Sequence, residues 1–532
     1  MTKTYNNYED LLDFTRASEG YTLRPVSYGT ELVTNGTFES DATGYSLTNC
    51  TLVTDSSDPY EGSNSGLFTS TGATGRAVQD FTTVVGRVYR LTAFSKYNSG
   101  DTGSIEILGV VENNSQTFIT SSDTDWKLIQ YNFVATATEH QLRLRERGVN
   151  NDASFFVDNV SIKEVTFDES DGTLTLFEHP EGVPRVEYDV LGNRLGLLVE
   201  ESRSNLIPYS DFSSGWTKAS GDFQTPNSGI APDGTNTAVQ YEVNSSGSLY
   251  DSITVTASTE YTFSWYVKRA SSQVATQSVY AFYDESNSAF IERTVYSIPS
   301  SGGIDGWHRQ SHTFTTPAGC TSVRVYPLGA EGSGGVVIKA IGRSLIWGAQ
   351  LEAGAFSTSF IETTGSTTTR SQDVANIDLS SFGYNHKKGS LLIDVLSTYA
   401  SNGSAFRSLF HIGSTVSVVD RINVYISEGG PAMSAEVRAN NVQSAGLSLE
   451  TLTENPVSKK VTFAFAEDDF AASDDGDTAV TDTSGTLVPL NKRNRLSLGS
   501  STSAGNAGRF HIKSFKYYPR RLTNAQLEDL SS

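Results

Sequence analysis

Trp126-Lys127-Leu128-Ile129-Gln130-Tyr131-Asn132-Phe133 and Trp307-His308-Arg309-Gln310-Ser311-His312-Thr313-Phe314 decide the fold of this chain. Each runs seven residues from Trp to Phe, and nine residues later each reaches an apolar strand position, Leu142 or Val323. A matching strand lies upstream of each, residues 89–96 and 261–268. Alternating side chains along these segments are the mark of strands with one buried face. A register shared over three strands means that one β-sandwich plan occurs twice. Repeated sandwiches commonly build display and adhesion proteins, so function is sought on surfaces and not in a catalytic pocket.

The rest of the composition agrees with this plan. The chain has 532 residues, enough for three or four domains at about 100–200 residues each. Its formal net charge is −21, which argues against nucleic acid as a partner, because phosphates demand basic surface. Abundant Gly, Ser and Thr with 11% aromatics reads as all-β with many turns. Cys50 and Cys320 fall one in each repeat at non-equivalent positions, which does not make a disulfide framework. Residues 1–7 show no apolar signal region, and no apolar run of about 18 residues is present to span a membrane. An adhesin-like chain without an export signal is the expectation for a virion protein, made in the host cytoplasm and released by lysis.

The chain divides as follows. Residues 1–30, with a helical candidate over 8–14, are either an attachment segment or a terminus packed on a neighbouring domain. Residues 31–165 are the first sandwich, 166–205 a connector punctuated by Pro and Gly, and 206–364 the second sandwich. A polar linker over 365–374 leads to a third β-domain, 375–532. That domain ends in a helix with a full start signal: Thr523 as N-cap, Gln526 closing the capping box, and Leu522 placed to staple onto Leu527.

Several of these segments carry resemblances. The opening Asn35-Gly36-Thr37-Phe38-Glu39 and closing Asp158-Asn159-Val160 resemble the jelly-roll carbohydrate-binding modules of polysaccharide-degrading enzymes. Trp216 after Gly215, with Gly348-Ala349-Gln350-Leu351-Glu352 and Thr358-Ser359-Phe360-Ile361, looks like a sandwich common in tail-fibre and head-fibre proteins of tailed bacteriophages. Arg495-Leu496-Ser497-Leu498-Gly499 and residues 517–523 resemble a concanavalin A-like, laminin-G-type domain. Together they imply an all-β fold of tandem jelly-roll β-sandwiches followed by a concanavalin A-like β-sandwich. Asp13-Phe14-Thr15-Arg16-Ala17-Ser18 and Pro184-Arg185-Val186-Glu187-Tyr188-Asp189 with residues 196–201 resemble two parts of one segment usual in such fibres. Here the first sandwich separates them, so it reads as an insertion, which the closeness of jelly-roll termini makes easy. The resemblance also implies a trimer, although no heptad run specifies one.

Sugar binding needs flat apolar faces for pyranose rings and polar groups for hydroxyls. Alternation along 261–268 turns Tyr261, Phe263, Trp265 and Val267 to the core and Tyr266 and Lys268 outward. The repeat register then turns Phe94 and Lys96 outward in the first sandwich. Arg143, Arg145 and Arg147 share one strand face, and Arg324 with Tyr326 shares the equivalent face. Arginine forks beside an aromatic suit an acidic glycan; the alternative is pairing with neighbouring Asp or Glu. Trp126, Trp216, Trp307 and Trp347 read as core anchors.

In the modules that the first sandwich resembles, a structural calcium joins the opening and closing strands, which implies Glu39 and Asp158 as metal candidates. The alternative is a pair of hydrogen-bonded carboxylates. In the third domain, residues 467–470 and 474–477 form acidic loops without EF-hand spacing, and Asp474-Asp475-Gly476 suits a tight hairpin turn. No Gly-x-Ser-x-Gly elbow, His-Glu-x-x-His helix or phosphate-cradling loop is present, and the seven histidines are scattered, so no enzyme is expected. The reading is a bacteriophage fibre or spike protein that binds host surface polysaccharide and joins other virion proteins through its N-terminal segment. The alternatives are an architectural virion protein and a glycan-active enzyme with accessory modules.

Overall fold

The computed structural model describes residues 12–110, 116–218, 222–243, 248–272, 274–329, 342–398, 406–414, 417–427, 432–453, 455–501 and 508–532. The fold is all-β: among these residues the strands are joined by a single α-helix, Asn524–Ser531. No helix of the described residues is long and apolar enough to cross a membrane. The helical candidate over 8–14 lies outside the described residues up to residue 11, and Asp13–Thr15 is a strand. The chain forms two compact units, Pro25–Thr173 and the pair Met1–Arg24 with Leu174–Ser532.

Pro25–Thr173 is a sandwich. In one sheet Val88–Ser99 lies between Lys127–Val134 and Ser154–Phe167, and Ser65–Ser70 and Cys50–Asp55 extend it. The other sheet has the order Ser46–Thr48, Arg76–Thr82, Glu139–Glu146, Gly103–Leu108, Gln116–Ile119. Period-2 patterning sets the interior: Tyr89, Leu91 and Ala93, with Phe133 and Phe155 of the same sheet, pack against Leu142 and Leu144 of the other. Val26 and Tyr28 pair with Phe167 and Val165, so the chain enters and leaves this sandwich on adjacent antiparallel strands.

The second sandwich repeats the plan with two five-stranded sheets. In one, Glu260–Arg269 runs between Gly342–Ala353 and His308–Thr315; in the other, Ser322–Leu328 runs between Leu249–Thr254 and Gln277–Asp284. The register agrees with the sequence repeat, since Phe94 lies opposite Asp158 and Tyr266 opposite Trp347. Arg203–Asn205 pairs with Thr368–Arg370, so this sandwich too is entered and left side by side.

The third sandwich differs from the expected span of 375–532. One of its seven-stranded sheets begins with Asp13–Thr15, paired to Val374–Asp378, and the other begins with Arg185–Tyr188 and Arg194–Val199, paired on to Arg509–Tyr518. Segment 1–30 and connector 166–205 therefore contribute strands to the last sandwich. The physical reason is burial: Phe14, Leu197 and Val199 complete the core of Phe410, Ile412, Phe463 and Leu496.

The two separated motif segments meet there. Arg16 and Arg185 both reach Asp373; Arg185 also pairs with Glu200, and Arg370 lies 3.6 Å from Glu200. All five side chains are buried. Burial works against ionisation of Glu200, and Arg370, Arg185 and Arg509 overcome it and hold the carboxyl well below its ordinary range. Arg16 is lowered to about 10, by burial first and then by Arg185. Removing one member of such a group leaves its partners charged and dry, so the network fixes which segments meet.

At the C-terminus Thr523 caps the helix, Gln526 completes the capping box, and Leu522 and Leu527 pack together on Ala464 and Ala471. Asp475 and Gly476 take positive φ in the turn after Asp469–Asp474, as a tight turn requires. Cys50 and Cys320 are free.

Candidate functional site

The outer face of the strand Val88–Ser99 carries Arg90, Thr92, Phe94 and Lys96, because the core takes the alternate positions. Phe94 and Lys96 are half-buried and stand where the alternation puts them. The tip of the loop after Cys50–Asp55 covers Phe94. Tyr60 lies flat on it, with ring centroids 3.6 Å apart and planes 13° apart. Trp126 meets Tyr60 edge-on at 5.7 Å and packs on Phe156 at 6.3 Å. Asp58 ties the group together: one oxygen accepts from Lys96 Nζ at 2.6 Å, and the other accepts from Trp126 Nε1 at 3.2 Å. Tyr60 remains 39% exposed. Its hydroxyl is pushed above its ordinary pKa, by burial first and then by Glu61 and Asp158. The result is a preset aromatic surface with polar groups at its rim.

Glu39 and Asp158 hold the loop that presents Tyr60. Asp158, wholly buried, accepts from the backbone N–H of Tyr60 and Glu61 at 3.2 Å and of Asn159 at 2.7 Å. Glu39 accepts from Ser63 N at 3.0 Å and from Asn64 N at 3.4 Å. N–H donors aimed at both carboxylates make the surroundings of an anion, and no group of three or more His, Cys, Asp or Glu among the described residues is arranged to hold a metal. The pair does not fit a calcium ion.

Trp126 departs from its expected place: it belongs to this outer cluster and not to the core. Trp216 anchors the core of the second sandwich as expected, whereas Trp307, the twin of Trp126, and Trp347 are buried outside that core, in the cluster around Tyr266. Tyr266 also departs. It is only 4% exposed, packed in a cluster with Tyr21, Leu23, Trp347 and Phe360. The N-terminal strand and the segment around Phe360 cover that sheet face, so it offers nothing to a ligand. Lys268 pairs with Asp305 at its edge.

On the opposite sheet of the first sandwich, Arg143, Arg145 and Arg147 converge on Glu106. In the second sandwich Arg324 holds the position of Arg143. It pairs with Glu285 at 2.6 Å and stacks over Tyr250 at 4.6 Å and Tyr283 at 5.6 Å, so its charge is spent locally. Tyr326 is buried beside Val279 and Ala281. The structure thus brings Phe94 and Lys96 into one site, leaves the arginines on separate faces, and adds Asp58, Tyr60 and Trp126. Tyr60 and Asp58 sit in the irregular run Asp58-Pro59-Tyr60-Glu61-Gly62, where no periodicity marks a face; an aromatic flanked by Pro and Gly was the available signal.

No curated protein matches the chain. Among solved structures, the tandem CBM22-1–CBM22-2 domains of Paenibacillus barcinonensis Xyn10C are 12% identical over 62% of this chain and 99% of theirs, with a TM-score of 0.22. The CBM40 of a Ruminococcus gnavus sialidase, bound to α2,6-sialyllactose, is 18% identical over 30% of this chain and 92% of its own, with a TM-score of 0.25. Scores this low carry no argument about the present chain. The first sandwich has a direct match in sequence: residues 30–147 fit the family described as carbohydrate binding domain.

Proposed function

We propose that the chain is a non-catalytic carbohydrate-binding protein whose first sandwich grips a glycan on the Tyr60 face. The carrying observation is Tyr60 itself: an exposed ring flattened on Phe94, rimmed by Lys96, Asp58 and the Trp126 edge, in the domain that fits a carbohydrate-binding family. The C–H face of a pyranose stacks on such a ring, and the ordering entropy is met in advance because the ring is already fixed. The wider setting proposed is a bacteriophage fibre or spike exposed on the virion and built as a trimer. There the glycan belongs to the host surface and the last sandwich is of the concanavalin A-like kind. The motif segments gathered around Asp373 support that setting.

The test is binding of purified protein to a panel of host-surface polysaccharides, with polymer length followed in parallel. Tyr60→Ala is expected to weaken binding at least about tenfold, the order expected for a lost aromatic contact, with only a small fall in melting temperature from the lost stack on Phe94 and polymer length constant. Undiminished binding by Tyr60→Ala contradicts the site, and shortened polymer contradicts the non-catalytic reading.

A further inference from the structure

The sheet opposite the Tyr60 face has a chemistry of its own. Arg145 lies across from Arg76 on one side and Ser104 on the other; Arg143 lies across from Val78 and Glu106. Antiparallel partners of this kind stand about 5 Å apart, so four guanidiniums, those of Arg76, Arg143, Arg145 and Arg147, gather in a small area. Glu106 is 5% exposed and takes Arg145 at 3.3 Å, Arg143 at 3.9 Å and Arg147 at closer range. No carboxylate among the described residues pairs with Arg76. Arg145 Nε is buried with no hydrogen-bond partner. Burial first, and then the crowding of Arg145, Arg76 and Arg147, lowers the pKa of Arg143 against the pull of Glu106. One carboxylate is too little charge for this cluster, and the surplus is positive on a chain of net charge −21. Phe118, across from Ser104 and 47% exposed, sets a ring beside the cations, while Asp80 and Gln141 mark the far end of the face. On the equivalent face of the second sandwich Tyr326 and the adjoining Tyr250 stand where Arg145 and Arg76 do, Tyr283 stands for Glu106, and only Arg324 is kept at the place of Arg143, so the fold does not require a cluster of this charge.

We infer that this face is a second binding site, for the acid groups of an anionic polysaccharide. Guanidinium forks take carboxylate or sulfate, and Phe118 takes a sugar ring. That the ligand is a glycan rests on the function proposed above; that it is anionic rests on the arginines alone.

The full chain is titrated with polygalacturonate, dextran sulfate, neutral dextran and a single-stranded oligonucleotide at low and high salt. The expected result is at least tenfold tighter binding of one or both acidic polysaccharides than of dextran, falling with salt. Whichever of the two is favoured names the acid group. Arg76→Gln with Arg143→Gln is expected to remove that difference. Arg76→Gln alone, which leaves the Glu106 ion pairs intact, is expected to reduce it without change in melting temperature. Equal binding of dextran, acidic binding unaffected by both variants, or an oligonucleotide bound as tightly and lost in the same variants each overturns the inference. Tyr60→Ala separates the two readings. If it abolishes glycan binding while the arginine variants change nothing, this inference fails alone. If it changes nothing while the arginine variants act, the Tyr60 face fails alone.

Discussion

Asp158 is wholly buried and accepts three backbone N–H groups, two of them from the loop that carries Tyr60. Asp158→Ala leaves those donors buried without a partner, a loss of roughly 1–3 kcal/mol. The expected outcome is a clear fall in melting temperature together with weaker glycan binding, whereas Tyr60→Ala weakens binding with a smaller fall in melting temperature. Because these carboxylates answer N–H donors, a chelator is expected to leave the melting temperature unchanged; a fall of several degrees in a thermal melt with EDTA restores the calcium reading. At this scale the strand residues were legible and the loop residues were not. Phe94 and Lys96 follow from alternation, which is local. The burial of Tyr266 does not, because its cover comes from Tyr21 and Leu23, more than two hundred positions away in the sequence.

Elements were the most legible level. The Trp-to-Phe spacing fixes the register of both sandwiches, and the pairs Phe94–Asp158 and Tyr266–Trp347 show that register in space. Register does not fix environment: Trp126 and Trp307 are equivalent in the repeat, yet one lies half-exposed beside Tyr60 and the other is buried. The terminal helix was readable to the residue because capping is local chemistry. Thr523→Ala removes the side-chain acceptor for Gln526 N, and a loss of about 1 kcal/mol is expected, measured by denaturant unfolding with an unchanged m-value. No measurable change contradicts a stabilising role for that cap.

At the scale of the whole molecule, what stayed hidden was the order of assembly. A strand at 13–15 and two within 185–199 read as leader and connector because the rest of the sheets they join lies beyond residue 373. The charges that join them give the fold a pH signature. Glu200 is depressed by Arg370, Arg185 and Arg509 against its burial, and Glu187 by His511 and Arg509 against its burial. Their contribution is full above the unfolded value of about 4.3 and is lost as pH falls through the folded one. Asp251 works the other way, raised by burial to about 6, and burial and Glu450 raise Asp474. Each takes up its proton at a higher pH in the fold than in the unfolded chain, so these two contributions grow as pH falls from neutral through the folded value toward the unfolded one. His411, lowered by burial to about 4, opposes them once pH falls below its unfolded value of about 6.5. The expected outcome is therefore read on the acid limb: melting temperature drops below about pH 4 as Glu200 and Glu187 are protonated, and a melting temperature unchanged from about pH 5 to about pH 3 contradicts the assignment. The paired strands at 26–28 with 165–167 and at 203–205 with 368–370 have a mechanical consequence. A tug on either jelly roll travels down two covalent tethers at once, halving the tension on each. The hydrogen bonds between the tethers lie across the direction of pull and not along it, so tension does not shear one tether past the other.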